Sequence, residues 1–159
     1  MHTLGLPFGY IKTKESYSSY KLHLEWKWTG EPTNSGVLLN VQEPDMIFPR
    51  CVECQLMNGK AGDIVLMGKG TSISVKDSTY VVPSEQNRYL GIPKFEDSSE
   101  KPAGEWNSYD ITLQDGKIEV VVNGVLQNVG TAMSLTEGKI ALQSEGSPLQ
   151  FRNIYIQPL

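Results

Sequence analysis

The chain has 159 residues, a net charge of −4 and a hydrophobic fraction of 39%, values that exclude several classes of protein. The length fits one domain, residues 1–159, with a core of its own. The acidic balance leaves no basic stripe for nucleic acid, and no apolar run approaches the roughly 18 residues of a membrane span. The opening residues, MHTLGLPFGY, have neither the charged nor the long apolar region of a signal peptide.

Alternating apolar and polar residues predict β-strands along most of the chain, and no stretch has the period of an amphipathic helix. The longest predicted strand covers residues 17–28. Its core face would hold Tyr20, Leu22, Leu24, Trp26 and Trp28, and its other face Lys21, His23, Glu25 and Lys27. Trp28 lies near the strand end, so core packing and stacking on a sugar ring are both open for it.

Residues 49–58, PRCVECQLMN, predict a central strand with a polar pair on one face. Val52, Cys54 and Leu56 would face the core. Glu53 and Gln55 would face the other side, roughly 7 Å apart at a rise of about 3.3 Å per residue. This pair is a candidate sugar site, and the alternative is the solvent face of an ordinary strand.

The two cysteines, Cys51 and Cys54, have the C-x-x-C spacing of redox and zinc motifs. In an extended strand their Cα atoms would lie about 10 Å apart, beyond the roughly 7 Å that a disulfide tolerates. No second C-x-x-C and no pair of histidines completes a zinc site. The spacing therefore predicts two free structural thiols.

The rest of the chain predicts short strands, one long irregular segment and two hairpins. The further strands are predicted at residues 10–13, 37–42, 63–67, 71–76, 106–114, 117–122, 125–129, 139–144 and 150–156, with a short helical turn at 134–137. Residues 78–105 predict a binding loop, or else a packed surface excursion, with Tyr89 among its aromatic residues. The turn signals Asp115-Gly116 and Asn123-Gly124 indicate hairpins. About ten to twelve strands predict an all-β sandwich or jelly roll.

Side chains suited to proton transfer are few. His23 is the candidate histidine, because the other histidine, His2, is terminal. Glu53 and Glu25 are candidate carboxylates, and glycosidases place such a pair about 5 Å or about 6.5–9.5 Å apart. Each of these residues could instead be an ordinary surface residue, and sequence alone does not show whether their strands are neighbours.

Several short motifs, in this order, resemble the bacterial family of 3-keto-disaccharide hydrolases. They are GYIKT at Gly9, YKLHLEWKW, NSGVLLN, P-x-x-x-E-x-Q at Pro49, GEWN, the Asn-Gly hairpin, GKIALQSEG and the terminal FRNIYIQPL. The resemblance implies a concanavalin A-like jelly roll of two antiparallel sheets, a carbohydrate ligand and a bacterial periplasmic or extracellular setting. The opening segment usual in that family is missing from this chain.

The resemblance implies an enzyme that cleaves 3-keto-disaccharides or related glycosides. A 3-keto group acidifies the neighbouring C–H bond, so cleavage can proceed by proton abstraction. Elimination followed by water addition needs one base and one electrophile. The catalytic candidates are Glu53, His23 and Glu25. The candidate sugar-binding residues are Gln55, Lys27, Asn40, Trp28, Trp106 and Tyr89. A divalent metal is left open as a group that polarises oxygen.

Two other functions stay open. The same polar face could serve a non-catalytic carbohydrate-binding module, with Asn40, Glu53 and Gln55 as hydrogen-bonding groups and Trp28 or Trp106 as a stacking platform. The domain could also mediate interactions in a larger secreted assembly.

Overall fold

Fourteen β-strands and no helix make up the computed structural model, which describes residues 1–159. In chain order they are β1 His2–Thr3, β2 Gly9–Lys12, β3 Tyr20–Trp28, β4 Gly36–Val41, β5 Cys51–Gln55, β6 Ile64–Met67, β7 Ser72–Val75, β8 Ser78–Val81, β9 Tyr89–Ile92, β10 Asn107–Gln114, β11 Lys117–Val122, β12 Val125–Gly130, β13 Lys139–Ser144 and β14 Leu149–Pro158. No helix is therefore available with the length and apolar character needed to cross a membrane.

The strands form two six-stranded antiparallel sheets and one hairpin. The front sheet has the order β2-β13-β4-β5-β6-β9, and the back sheet has the order β1-β14-β3-β10-β11-β12. The separate hairpin joins β7 to β8. Neighbours in each sheet are mostly distant in sequence, as in a jelly roll, so residues far apart along the chain meet on one face.

The core lies between the inner faces of the two sheets and contains 28 buried residues. On β3 the burial alternates strictly, and the predicted apolar face from Tyr20 to Trp28 is buried, which confirms that prediction. A second cluster of five buried residues covers part of the outer face of the front sheet: Leu38, Val41, Cys51, Met67 and Ala141. The front sheet is thus apolar on both faces, and a polar group on its outer face has little water around it.

Two predictions about loops are wrong. Residues 78–105 are not wholly irregular, because they contain β8, which pairs with β7, and β9, which pairs with β6. Prolines and charges dilute the alternation in this segment and hide the two strands. Residues 134–137 form no helical turn, since the Met133 and Ser134 amides donate to the distant carbonyls of Gly116 and Ser72 at 3.0 Å each.

Candidate functional site

Strand β5 places the Glu53 side chain on the outer face of the front sheet. Val52 and Cys54 face the core, as the alternation predicts, and Glu53 faces away from it. The apolar cluster around Cys51 and Met67 nonetheless leaves Glu53 only 4% exposed. The sequence pattern therefore gives the direction of the carboxyl group, and the neighbouring strands bury it.

Gly36 on β4 creates the space that the Glu53 carboxyl group occupies. A Cβ atom added at Gly36 would lie 2.1 Å from Oε1 of Glu53 and 2.8 Å from its Cδ. Atoms cannot approach so closely, and the carboxyl group would have to move. The glycine in NSGVLLN is thus required by the position of Glu53.

A pocket of about 330 Å³ opens over Glu53. Its lining combines amide, carboxyl and apolar side chains: Asn34, Phe48, Glu53, Gln55, Val65, Met67, Tyr89, Gln143 and Glu145. Such a mixture of a few polar groups on an apolar floor is typical of small-molecule sites.

The Glu53 carboxyl group has no cation or hydrogen-bond donor to stabilise its charge. Burial, and to a smaller degree the nearby carboxylate of Glu145, raise the pKa of Glu53 from 4.5 to about 8. Burial also raises the pKa of Glu145, and a hydrogen bond with Asn34 opposes that increase. Glu53 is therefore mostly protonated at neutral pH and becomes a comparatively strong base when it ionises.

Two glutamines present hydrogen-bonding groups beside this carboxyl group. Gln143 on β13 is 3% exposed, and its buried Oε1 has no hydrogen-bond partner in the protein. Gln55 is fixed by its own Oε1, which accepts from the backbone amides of Leu56 at 2.9 Å and Met57 at 2.8 Å. The Gln55 amide nitrogen is left to donate to a ligand. An unpartnered buried acceptor is costly, so the Gln143 oxygen is an unfavourable feature of this face that the fold retains.

Two aromatic rings form one wall of the pocket. Phe48 and Tyr89 meet edge to face, with ring centroids 5.9 Å apart. Tyr89 is 45% exposed, so much of its ring remains free to contact a ligand. Aromatic faces of this kind pack well against the apolar faces of sugar rings.

Of the predicted site residues, the structure brings together Glu53, Gln55 and Tyr89. His23, Glu25 and Lys27 do not join them, because they lie on β3 in the back sheet, on the side away from the core. Glu53 and His23, both catalytic candidates from sequence, therefore do not share one cleft. Alternation shows which residues share a face of a strand, but it does not show which sheet the strand enters.

The candidates on the back sheet are instead partnered by other residues of that sheet. His23 Nδ1 lies 2.7 Å from Asp110 Oδ1, and Glu25 pairs with Arg152. Trp106 belongs to this surface as well. Its ring packs under Lys27, at 4.8 Å from Nζ to the centroid, and under Arg152, at 3.9 Å from Cζ.

The last two candidates point elsewhere. Asn40 has a left-handed backbone with φ of 52°, and its Nδ2 donates to the Leu135 carbonyl at 2.8 Å. It thus ties down the loop before β13 and does not face the pocket. Trp28 is 3% exposed within the main core, so core packing is its role here. Cys51 and Cys54 are free and buried, as predicted.

Sequence reasoning missed Asn34, Phe48, Gln143 and Glu145. They come from loops and a strand that only the order β13-β4-β5-β6-β9 brings around Glu53. Gln143 had a usable signal, because it shares a face of β13 with Ala141 and interrupts an apolar strand. No group of three or more His, Cys, Asp or Glu side chains suited to holding a metal is present.

Comparisons with known proteins agree with this architecture. The model of the 3-keto-alpha-glucoside-1,2-lyase-like domain matches residues 2–157. A provisionally named glycosyl hydrolase from Parabacteroides distasonis superposes with a TM-score of 0.69 at 24% identity, covering 97% of this chain and 85% of that one. The carbohydrate-binding module CBM66 from Bacillus subtilis has a TM-score of 0.64 at 9% identity, covering 93% and 80%. A comparison with curated proteins finds no match.

The solved structures, at these identities, establish the fold. It is the concanavalin A-like jelly roll, which the beta-glucanase of Bacillus licheniformis also has, with a TM-score of 0.51 at 13% identity, covering 92% of this chain and 58% of that one. The family model establishes membership of a family, since it spans nearly the whole chain. This protein therefore belongs to the 3-keto-alpha-glucoside-1,2-lyase-like family, a carbohydrate-related group with a glycosyl hydrolase-like jelly roll.

Proposed function

We propose that this protein cleaves glycosides carrying a ketone at C3, 3-keto-disaccharides among them, with Glu53 as the group that moves the proton. The observation that carries the proposal is the environment of Glu53. It is a buried carboxyl group with a pKa raised to about 8, and no partner within the protein explains its burial. Buried titratable groups with perturbed pKa values in a pocket are typical of catalytic sites.

The reaction follows from the acidity of the C2–H bond beside the ketone. Ionised Glu53 takes the C2 proton, the electron pair forms the C1–C2 double bond, and the C1–O bond to the leaving group breaks. The departing oxygen takes the proton that Glu53 removed from C2 and leaves as an alcohol, which returns Glu53 to its ionised form. Addition of water across the new double bond then completes a net hydrolysis. A single base therefore suffices for elimination, in contrast to the two carboxylates of ordinary glycosidases.

The other pocket residues fit this chemistry. The Gln55 amide nitrogen can donate to the C3 oxygen as negative charge develops there, and a donor aimed at developing charge is effective in a dry site. Gln143 lines the pocket beside Glu53, and Tyr89 can pack on the sugar ring. Because burial is what raises the pKa of Glu53, the same burial makes its carboxylate a stronger base than an exposed glutamate.

The test is turnover of a 3-keto-glucoside by the Glu53→Gln variant. We expect the rate to fall by about 10²- to 10⁴-fold, the usual contribution of a general base. Glu25→Gln, which removes a carboxylate from the back sheet, is the matched control and should leave turnover unchanged. The assay is run with chelator and with added divalent cations. Equal turnover by the Glu53 variant and the wild type would remove Glu53 from the mechanism.

A non-catalytic carbohydrate-binding function is the second candidate. It is favoured by the free amide nitrogen of Gln55 and the exposed Tyr89 ring, which suit a bound sugar whether or not it reacts. Calorimetry with glycans and a turnover assay on the same sample separate the two functions. Binding without turnover of any 3-keto-glycoside would favour the module. For either function we propose a periplasmic or extracellular bacterial setting, where glycan substrates are met.

A further inference from the structure

A second pocket, of about 250 Å³, lies beside the Glu53 pocket and is rich in charge. It is lined by Glu43, Pro44, Met46, Arg50, Gly68, Lys69, Glu85 and Arg88. Three of its side chains are cationic in a chain whose net charge is −4. A local excess of positive charge in an acidic protein points to a negatively charged ligand.

Neutral groups hold Arg50 in place. Its Nε donates to Thr71 Oγ1 at 3.2 Å, and that hydroxyl in turn donates to the Met67 carbonyl at 2.9 Å. Gly68, with φ of 86°, makes room for the stem, because a Cβ atom there would lie 2.7 Å from Arg50 Cγ. The guanidinium group is therefore oriented, while no carboxylate neutralises it.

Arg88 is held in the same way. Its Nη2 donates to the Phe48 carbonyl at 3.2 Å and contacts Met46 Sδ at 3.2 Å. Neither Arg50 nor Arg88 takes part in any of the ion pairs of the protein, and the same is true of Lys69. Guanidinium groups fixed by neutral acceptors keep their remaining donors for the two oxygens of a carboxylate, sulfate or phosphate.

The two acidic residues of this pocket do not cancel its charge. Glu43 is engaged by Lys12 at 2.9 Å and by Lys139 at 3.2 Å, so its charge is already compensated. Glu85 forms no ion pair and is the one uncompensated anion opposite three cations. A net positive charge remains.

The two pockets are separated by the Phe48–Tyr89 pair. Phe48 lines the Glu53 pocket with its ring and accepts from Arg88 with its carbonyl group. Tyr89 follows Arg88 directly, and Met67 of the first pocket is followed by Gly68 of the second. A sugar unit over Glu53 would therefore have its neighbour beyond the aromatic wall, near the cations.

We infer that the pocket of Arg50, Lys69 and Arg88 is a subsite for an anionic substituent on the second unit of the substrate. This inference rests on the proposed function, the cleavage of 3-keto-glycosides. It adds the class of glycoside, which is one whose leaving group carries a carboxylate, sulfate or phosphate. The oriented guanidinium groups supply the recognition. Lys69 adds charge without directional preference.

Binding is measured first, by calorimetric titration of the Glu53→Gln protein with glucuronate, glucose 6-sulfate, glucose 6-phosphate and glucose. We expect at least one anion to bind about tenfold or more tightly than glucose, and the three anions distinguish the source of the charge. Arg50→Gln should weaken that anion about tenfold, and Glu85→Gln should tighten it two- to threefold, whereas the control Lys21→Gln should change nothing. Added salt should reduce the preference.

Thermal unfolding of each variant checks that the fold is intact, and Arg50→Lys keeps the charge without the fork. Equal affinity for glucose and all three anions would overturn the subsite, as would an Arg50→Gln variant that binds the preferred anion normally. Turnover of 3-keto-glucosides with a glucose or a glucuronate leaving group is measured separately. Anion preference without any turnover would refute the proposed function alone, and turnover indifferent to the leaving group's charge would refute the subsite alone.

Discussion

The outer faces of the two sheets differ in how their candidate polar groups are partnered. On the back sheet each candidate is partnered: His23 by Asp110, Glu25 by Arg152, and Trp106 by two cations. On the front sheet Glu53 is buried without a partner, and Gln143 has an unsatisfied oxygen. The difference teaches that residue type alone does not distinguish the two faces, whereas burial and hydrogen-bond partners do.

The largest expected effect is on the pH dependence of turnover, which should follow the ionisation of Glu53 on the front sheet. The pKa of Glu53, at about 8, means that its basic form is scarce at lower pH. The rate should therefore fall about tenfold for each pH unit below 8. The measurement is kcat/KM for a 3-keto-glucoside between pH 6 and pH 9. A profile that is flat across this range would break the comparison, because it would show that the ionisation of Glu53 does not control the rate.

Ionisation of Glu53 should lower the stability of the folded protein, whereas it should raise the rate of turnover. The folded protein keeps the Glu53 proton between pH 4.5 and about 8, where the unfolded chain has lost it, so its stability falls as the pH rises through this window. Above pH 8 the cost is roughly 5 kcal/mol, at about 1.4 kcal/mol per pKa unit. The Glu53→Gln variant should recover much of the stability that the wild type loses above pH 8.

Urea unfolding of wild type and Glu53→Gln at pH 4 and pH 8.5 measures the effect. The two proteins should differ little at pH 4, and the variant should be more stable at pH 8.5. A gain in stability together with a loss of turnover is the pattern of a functional group in a strained environment. A variant that is less stable at both pH values would contradict the burial cost assigned to Glu53.

Gly36→Ala tests the space over β4. The added Cβ atom would lie 2.1 Å from Glu53 Oε1, so the carboxyl group must shift and the protein should lose about 1–3 kcal/mol of stability. Turnover should fall with it. In a Glu53→Ala background the same change should cost almost nothing, because the clash is gone. A double-mutant cycle of unfolding free energies measures this coupling, and additive effects would show that the two residues do not meet.

Glu25→Gln should have the smallest effect. The hydrogen bond from Arg152 lowers the pKa of Glu25, so the pair stabilises the protein above pH 4.5 and stops doing so as the pH falls. The pair is exposed on one side, and we expect its loss to cost less than about 1 kcal/mol. Urea unfolding at low and high salt is the measurement, and the small difference should shrink further in high salt. A cost comparable to that at Glu53 would remove the contrast between the sheets.

Most of the fold could be predicted from sequence, and so could a third of the residues that line the candidate site. Alternation is local, so it correctly placed the core face of β3 and the outward direction of Glu53 and Gln55. Strand order is not local, so sequence does not show that His23 lies in the other sheet from Glu53, or that Gln143 lies beside Glu53. Asn40 was misplaced because its left-handed backbone turns the side chain out of the alternation.

The two cysteines are free and buried, so the domain folds without forming a disulfide bond. Cys54 lies in the main core and Cys51 in the cluster on the opposite face of the same strand. Burial raises the pKa of both, so neither is a ready nucleophile at neutral pH. Maturation of this domain therefore needs no oxidant and no disulfide isomerase, and mild reductants or oxidants should leave its folding unchanged.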